Sequence, residues 1–140
     1  MQRLKHYGWG REGEGLSAEE EAFVLDRHRR RFGVERFDER LPPALSDIKL
    51  RPSRLAPPSS FAAFCASDTY DRAGHCYGKS FIDYARGLVG DYTNAPDVVA
   101  YPRKDAEVMA VLDWASAAGA AVTPFGGGSM RLPRIDGHLC

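Results

Sequence analysis

Between Asp97 and Thr123 the hydrophobic period switches from two to about 3.6 and back, which restricts this part of the chain to a strand–helix–strand unit. Asp97-Val98-Val99-Ala100-Tyr101 is a short β-branched, apolar run closed by Pro102, and it reads as a strand. From Asp105 to about Ala118, the residues Val108, Val111, Leu112 and Ala115 recur at i, i+3, i+4 and i+7, one apolar stripe of a helix. Asp105 and Glu107 sit in its first turn and Gly119 closes it. Ala120-Ala121-Val122-Thr123 then reads as a second strand. The expected product is a βαβ unit whose strands are parallel and joined by a right-handed crossover.

The second strand runs straight into Pro124-Phe125-Gly126-Gly127-Gly128-Ser129. Three successive glycines carry no Cβ, so a ligand can approach the backbone closely and φ can be positive. Successive amides can then turn toward one anion, and Ser129 adds a hydroxyl donor. A pyrophosphate suits such a loop, because aligned dipoles neutralise it without a lysine. Tri-glycine by itself also describes an ordinary flexible turn; its place at the end of a βαβ strand is what favours a ligand.

Upstream, residues 1–15 are Gly-rich, with Trp9 framed by Gly8 and Gly10, a loop able to dock an aromatic side chain. Ser17 to Phe32 reads as a helix. Ser17 and Glu20 have capping-box spacing, the acidic residues cluster early and the arginines late, and Gly33 stands at the C′ position. Phe23, Val24 and Phe32 are its candidate buried face. Five prolines (Pro42, Pro43, Pro52, Pro57, Pro58) make 41–60 an extended connector laid over another surface. Phe61 to Ala66 and Phe81 to Leu88 are short helical candidates.

Equal numbers of basic and acidic residues, 19 of each, give no whole-chain argument for nucleic acid or an anionic membrane. No stretch approaches the roughly 20 apolar residues that span a bilayer, and residues 1–10 carry no secretory pattern. Three cysteines (Cys65, Cys76, Cys140) without CxxC spacing suit reduced thiols and a cytoplasmic location. His6, His28, His75 and His138 are scattered without metal-ligand spacing, so no metal is expected. Arg27 to Arg31 reads as cations at a helix C-terminus rather than a nucleic-acid patch. Gly78-Lys79-Ser80 invites a P-loop reading, but the glycine required five residues before Gly78 is Ala73, and no buried strand precedes it. Lys79 is then a residue at a helix start, solvated or packed on the neighbouring domain.

The run Ala95-Pro96-Asp97-Val98-Val99-Ala100-Tyr101-Pro102-Arg103, the helix after it and the Pro124–Ser129 loop resemble the opening of the flavin domain of FAD-linked oxidases. Those enzymes share the fold of vanillyl-alcohol oxidase and p-cresol methylhydroxylase. Tyr7-Gly8-Trp9-Gly10 and His75-Cys76-Tyr77-Gly78-Lys79-Ser80-Phe81 resemble stretches of the alkyldihydroxyacetonephosphate-synthase-like branch. The resemblance implies an α+β chain with a mostly helical extension over 1–93, and the first βαβ of a PCMH-type FAD-binding domain over 94–129. A divergent tail over 130–140 follows. It implies FAD as cofactor, held at the pyrophosphate by Pro124, Phe125, Gly126, Gly127, Gly128 and Ser129. It further implies, in full-length relatives, a lipid-like or hydroxylated small-molecule substrate of the ether-lipid type, and it is compatible with a homo-oligomer. The chemistry is either oxidation of a hydroxylated substrate or the synthase exchange of an acyl chain for a fatty alcohol.

The family pattern stops after Ser129, so the expectation is a truncated flavin domain without catalytic residues that binds FAD weakly or not at all alone. The rival expectation is a non-catalytic interaction module. Two strands cannot cover both faces of a parallel sheet, and their open edges favour aggregation.

Overall fold

The computed structural model describes residues 3–38 and 40–128. Residues 3–14 form a tight hairpin: Leu4 bridges Arg11 in antiparallel fashion, and the amides of Lys5 and Glu12 donate to the carbonyls of Gly10 and Arg3. Helix α1 follows over Ala18–Phe32, then an irregular connector with single 3-10 turns at Leu45–Asp47 and Ser59–Phe61. Strand β1 (Cys65–Ala66), helices α2 (Thr69–Gly74) and α3 (Phe81–Leu88), strand β2 (Val99–Ala100) and helix α4 (Asp105–Ala117) complete the elements.

Helix α1 is specified by its ends. Ser17 accepts from the Glu20 amide while the Glu20 carboxylate accepts from the Ser17 amide, and Gly33 closes the helix in the left-handed region at φ 64°. The expected apolar face does not pack: Phe23 is 66% exposed, Phe32 is 64% exposed, and no residue of α1 is buried. The charged residues surrounding these aromatics leave too narrow a stripe to anchor the helix, and Phe32 stacks on His28 and edge-on to Phe37. Ser17→Ala is therefore expected to cost about 1 kcal/mol of local helix stability. Amide exchange in the first turn of α1 should accelerate while the global unfolding midpoint holds.

The core follows the continuous buried run Ala95–Val99. On one side Ile48, Ala73, Cys76, Tyr92 and Ala95 cluster, flanked by Leu50 and Tyr77. On the other, Val98 and Ala115 meet Leu55, Cys65, Trp114 and Ala120. The proline-rich connector thus lies across both clusters, as expected, through Ile48, Leu50 and Leu55. Trp114 turns to the upstream extension, edge-on to Phe61 at 5.8 Å between ring centroids.

Four expectations need correction. Among the described residues the sheet has two strands, and they are antiparallel: Cys65 pairs with Ala100 and Ala66 with Val99. The Tyr101 amide continues the ladder to the Phe64 carbonyl at 2.7 Å. The expected parallel partner, Ala120–Thr123, forms no strand and has only an isolated bridge at Val122; two alanines supply little of the side-chain packing that favours a pleated surface. The strand expected over Asp97–Tyr101 shrinks to Val99–Ala100 because Asp97 spends its side chain on arginines of the connector. The stripe of α4 is half used, with Val111 and Ala115 buried but Val108 and Leu112 exposed. Phe61–Ala66 divides between the end of a 3-10 turn and β1 instead of forming a helix.

Helix α2 was not expected. Asp68 caps it by accepting from the amides of Tyr70 and Asp71. Arg72, buried, donates to the carbonyls of Pro96 at 2.6 Å and Arg51 at 2.8 Å. An arginine here does the work of backbone hydrogen bonds for two segments that lack a sheet. Beside it, the Asp97 carboxylate accepts from Arg51, from the Arg54 guanidinium at 2.9 Å and from the Arg54 amide at 2.8 Å. Burial alone would raise the Asp97 pKa, but these hydrogen bonds outweigh it and hold the carboxyl well below the usual range.

Candidate functional site

Three stretches with distinctive sequence converge on Lys79. The hairpin brings Gly8 and Trp9, the turn between α2 and α3 brings His75 to Ser80, and the glycine-rich loop brings Phe125 to Gly128. The Lys79 amide donates to the Gly128 carbonyl at 2.5 Å. Its carbonyl accepts from the Trp9 indole Nε1 at 3.1 Å, and its Nζ donates to the Gly8 carbonyl at 2.7 Å. The ammonium also lies 5.7 Å from the centre of the Trp9 ring. Burial pushes the Lys79 amine below its ordinary value.

Local chemistry explains each arm. Gly8 adopts φ 61° and its Cα lies against the Tyr84 ring of α3, while Tyr7 meets Gly87 and packs edge-on to Tyr84 at 5.9 Å. Ser80 caps α3 by accepting from the Asp83 amide, which fixes where the turn ends. Asp83, buried at the start of α3, is paired with Arg86 at 3.1 Å. The Phe125 ring packs edge-on to His75 at 4.6 Å, and His75 meets Tyr101 at 5.7 Å on its other contact. Tyr101 donates to Asp71 at 2.6 Å; burial, then this carboxylate, pushes the phenol far up, and burial raises Asp71 in turn.

The glycines of the loop do different things. Gly126 and Gly127 are exposed, and beyond their chain neighbours no atom of the described residues lies within 4 Å of where a Cβ would stand. Gly128 is buried at φ 71°, and a Cβ there would come within 2.9 Å of the Phe125 ring and 3.2 Å of Lys79 Cγ. Gly128 is therefore a structural glycine, while Gly126 and Gly127 present bare backbone outward. Pro124 is exposed and Phe125 half-buried as the loop's anchor; Ser129, the remaining predicted site residue, lies outside the described residues, as does the tail over 130–140. Among the described residues no side chain closes off the backbone of Gly126 and Gly127, the bare-backbone chemistry that a pyrophosphate requires.

A cavity of about 20 Å³ lies between the hairpin, α2 and α3, lined by His6, Tyr77, Asp83 and Tyr92 among others. The His6 Nε2 and Tyr92 hydroxyl atoms are buried with no partner among the described residues. The space is about that of one water, too small for a cofactor. Burial pushes Tyr92 up to about 12 and lowers His6.

Sequence reading picked out the hairpin, the turn and the loop separately. It did not foresee that Lys79 joins them, because Trp9 and Lys79 are separated by 70 positions. The paired oddities Gly-Trp-Gly and Gly-Lys-Ser were the only signal. Among the described residues no helix is long and apolar enough to cross a membrane, and no group of three metal-ligating side chains gathers.

No family model matches the chain. The fold matches part of two larger solved chains. Two solved structures superpose on it, with TM-scores of 0.74 and 0.68 at 21% and 22% identity, covering 97% and 91% of this chain. Both are structures of alkyldihydroxyacetonephosphate synthase, in crystal forms P1 and P212121. A curated relative, alkyldihydroxyacetonephosphate synthase from Dictyostelium discoideum, is 36% identical over 69 residues, 49% of this chain. Curated and structural neighbours thus both point to alkyldihydroxyacetonephosphate synthase, an FAD-linked oxidase-family enzyme. The chain spans 31% and 27% of the two solved chains and 11% of the curated relative.

Proposed function

We propose that this chain is the part of an FAD-dependent, alkyldihydroxyacetonephosphate-synthase-like enzyme that receives the FAD pyrophosphate on the open backbone of Gly126 and Gly127. The observation that carries this reading is the division of labour in the loop: Phe125 and Gly128 fix it, leaving the two glycines between them with no contact to their Cβ positions among the described residues beyond their chain neighbours. Pro124 lies before the cradle, and Ser129 follows Gly128 in the sequence. Bound there, the flavin would supply the redox or adduct chemistry of the whole enzyme. The chain's own residues orient and bind: loop amides face the anion, and Lys79 and His75 hold the loop's inner side. No catalytic residue is assigned, and both oxidation of a hydroxylated substrate and the synthase exchange fit this role. Within this proposal the domain boundary falls near Asn94, and the substrate is a lipid-like or hydroxylated small molecule.

Among the described residues, alanine at Gly126 and Gly127 meets no atom beyond its chain neighbours, so the double substitution tests ligand approach with little disturbance of the loop. The chain alone is expected to bind FAD weakly, because the loop is one wall of a larger site. A hybrid extended with a relative's downstream sequence should retain the flavin absorbance near 450 nm after removal of excess, with affinity falling at least about tenfold in the double-alanine variant. Equal retention by the variant, or none by the hybrid, refutes the loop assignment. Tight stoichiometric flavin on the chain alone would overturn the expectation of weak binding.

A further inference from the structure

We infer that Lys79 is a positioning residue that couples the 3–14 hairpin to the order of the glycine-rich loop. Every polar group of Lys79 is engaged, and the partners divide between two segments. On the loop side its amide holds the Gly128 carbonyl, and its Cγ lies under Gly128. On the hairpin side its carbonyl takes the Trp9 indole N–H and its ammonium takes the Gly8 carbonyl. The half-buried ammonium meets the Gly8 carbonyl and lies 5.7 Å from the centre of the Trp9 ring, so both of its partners belong to the hairpin. When the hairpin lifts away, Trp9 and Gly8 release the Lys79 carbonyl and side chain, and the residue that holds Gly128 loses its orientation. The inference uses the proposed function only to name a ligand; the coupling itself concerns the chain without one. Where a pyrophosphate ligand does occupy Gly126 and Gly127, the coupling is reciprocal: the hairpin tightens the ligand by the factor with which the ligand tightens the hairpin.

The test measures amide hydrogen exchange in the labelled 140-residue chain, with and without ADP as the pyrophosphate probe. Trp9→Phe keeps an aromatic ring and removes the indole donor. Lys79→Met keeps both backbone bonds and most of the aliphatic stem and removes the ammonium. In each variant the Lys79 amide is expected to exchange roughly fivefold to tenfold faster, the weight of one lost hydrogen bond, while Val111 and Ala115 in α4 exchange as before. Acceleration at Lys79 and α4 together would mean general destabilisation and would overturn the inference, as would an unchanged Lys79 amide. Failure of ADP to bind the wild-type chain would agree with the weak binding expected of the chain alone, and the exchange pattern decides the coupling without it. If ADP binds, its affinity should fall by the same factor in both variants; an unchanged affinity would contradict the coupling.

Discussion

Asp97→Asn is expected to cost about 3–5 kcal/mol, the usual consequence of removing one partner from a buried ion pair. The Asp97 side chain is 1% exposed and accepts from two guanidinium groups and an amide. The asparagine has nearly the same shape, but its NH₂ would point a donor at donors, and Arg51, only 32% exposed, would keep a charge with no counter-ion at that position. Most single domains hold only about 5–15 kcal/mol in total, so the variant should unfold at much lower denaturant. Arg54→Gln is the control: its side chain is 57% exposed and screened by solvent, and its loss should move the unfolding midpoint far less. The pH dependence has a definite sign. Because Asp97 binds its proton less readily when folded, its contribution is complete above the ordinary carboxylate value of about 4. It drains away as pH falls below that value toward the lowered folded one. Wild-type stability should decline over that acid range, and the asparagine variant should lose that part of the slope. Equal stability of wild type and Asp97→Asn by chemical denaturation would show that the arginine cluster does not hold the connector in place.

Asp97 also shows what the sequence could and could not disclose. Read as a strand residue, it has the right neighbours, and Val99 and Ala100 do form a strand beside it. Its actual role depends on Arg51 and Arg54, more than 40 positions earlier, and on Arg72, which serves the neighbouring Pro96 carbonyl. Nothing local marks an arginine as internal. The capping box of α1, its closing glycine, and helices α3 and α4 were legible because their causes lie within a few residues. Strand pairing was not, since Cys65–Ala66 is too short for any period to register. The glycine-rich loop was visible as composition, but the separate roles of Gly127 and Gly128 depend on Phe125 and Lys79 being folded against one of them.

The same dependence on distant neighbours makes Gly8→Ala the second large expected effect. A Cβ at Gly8 would lie 2.2 Å from Tyr84 Cε2 and 2.6 Å from Cδ2, and the backbone stands at φ 61°. The left-handed conformation alone costs an L-residue about 1–2 kcal/mol, and forcing the ring aside adds about 1–3 kcal/mol, as overpacking does. Moving the ring aside would break its edge-on contact with Tyr7, which itself meets Gly87. The hairpin should therefore detach from α3, carrying Trp9 away from the Lys79 carbonyl. Proteolysis within 3–14 and acrylamide quenching of Trp9, read in a Trp114→Phe background, should both increase. Gly8→Ala combined with Tyr84→Ala separates the two causes. The double variant loses the clash and keeps the backbone strain, so it should recover part of the docking that the single glycine substitution removes. If Gly8→Ala instead leaves the hairpin as protected as in wild type, then the close approach to Tyr84 does not limit how the hairpin docks.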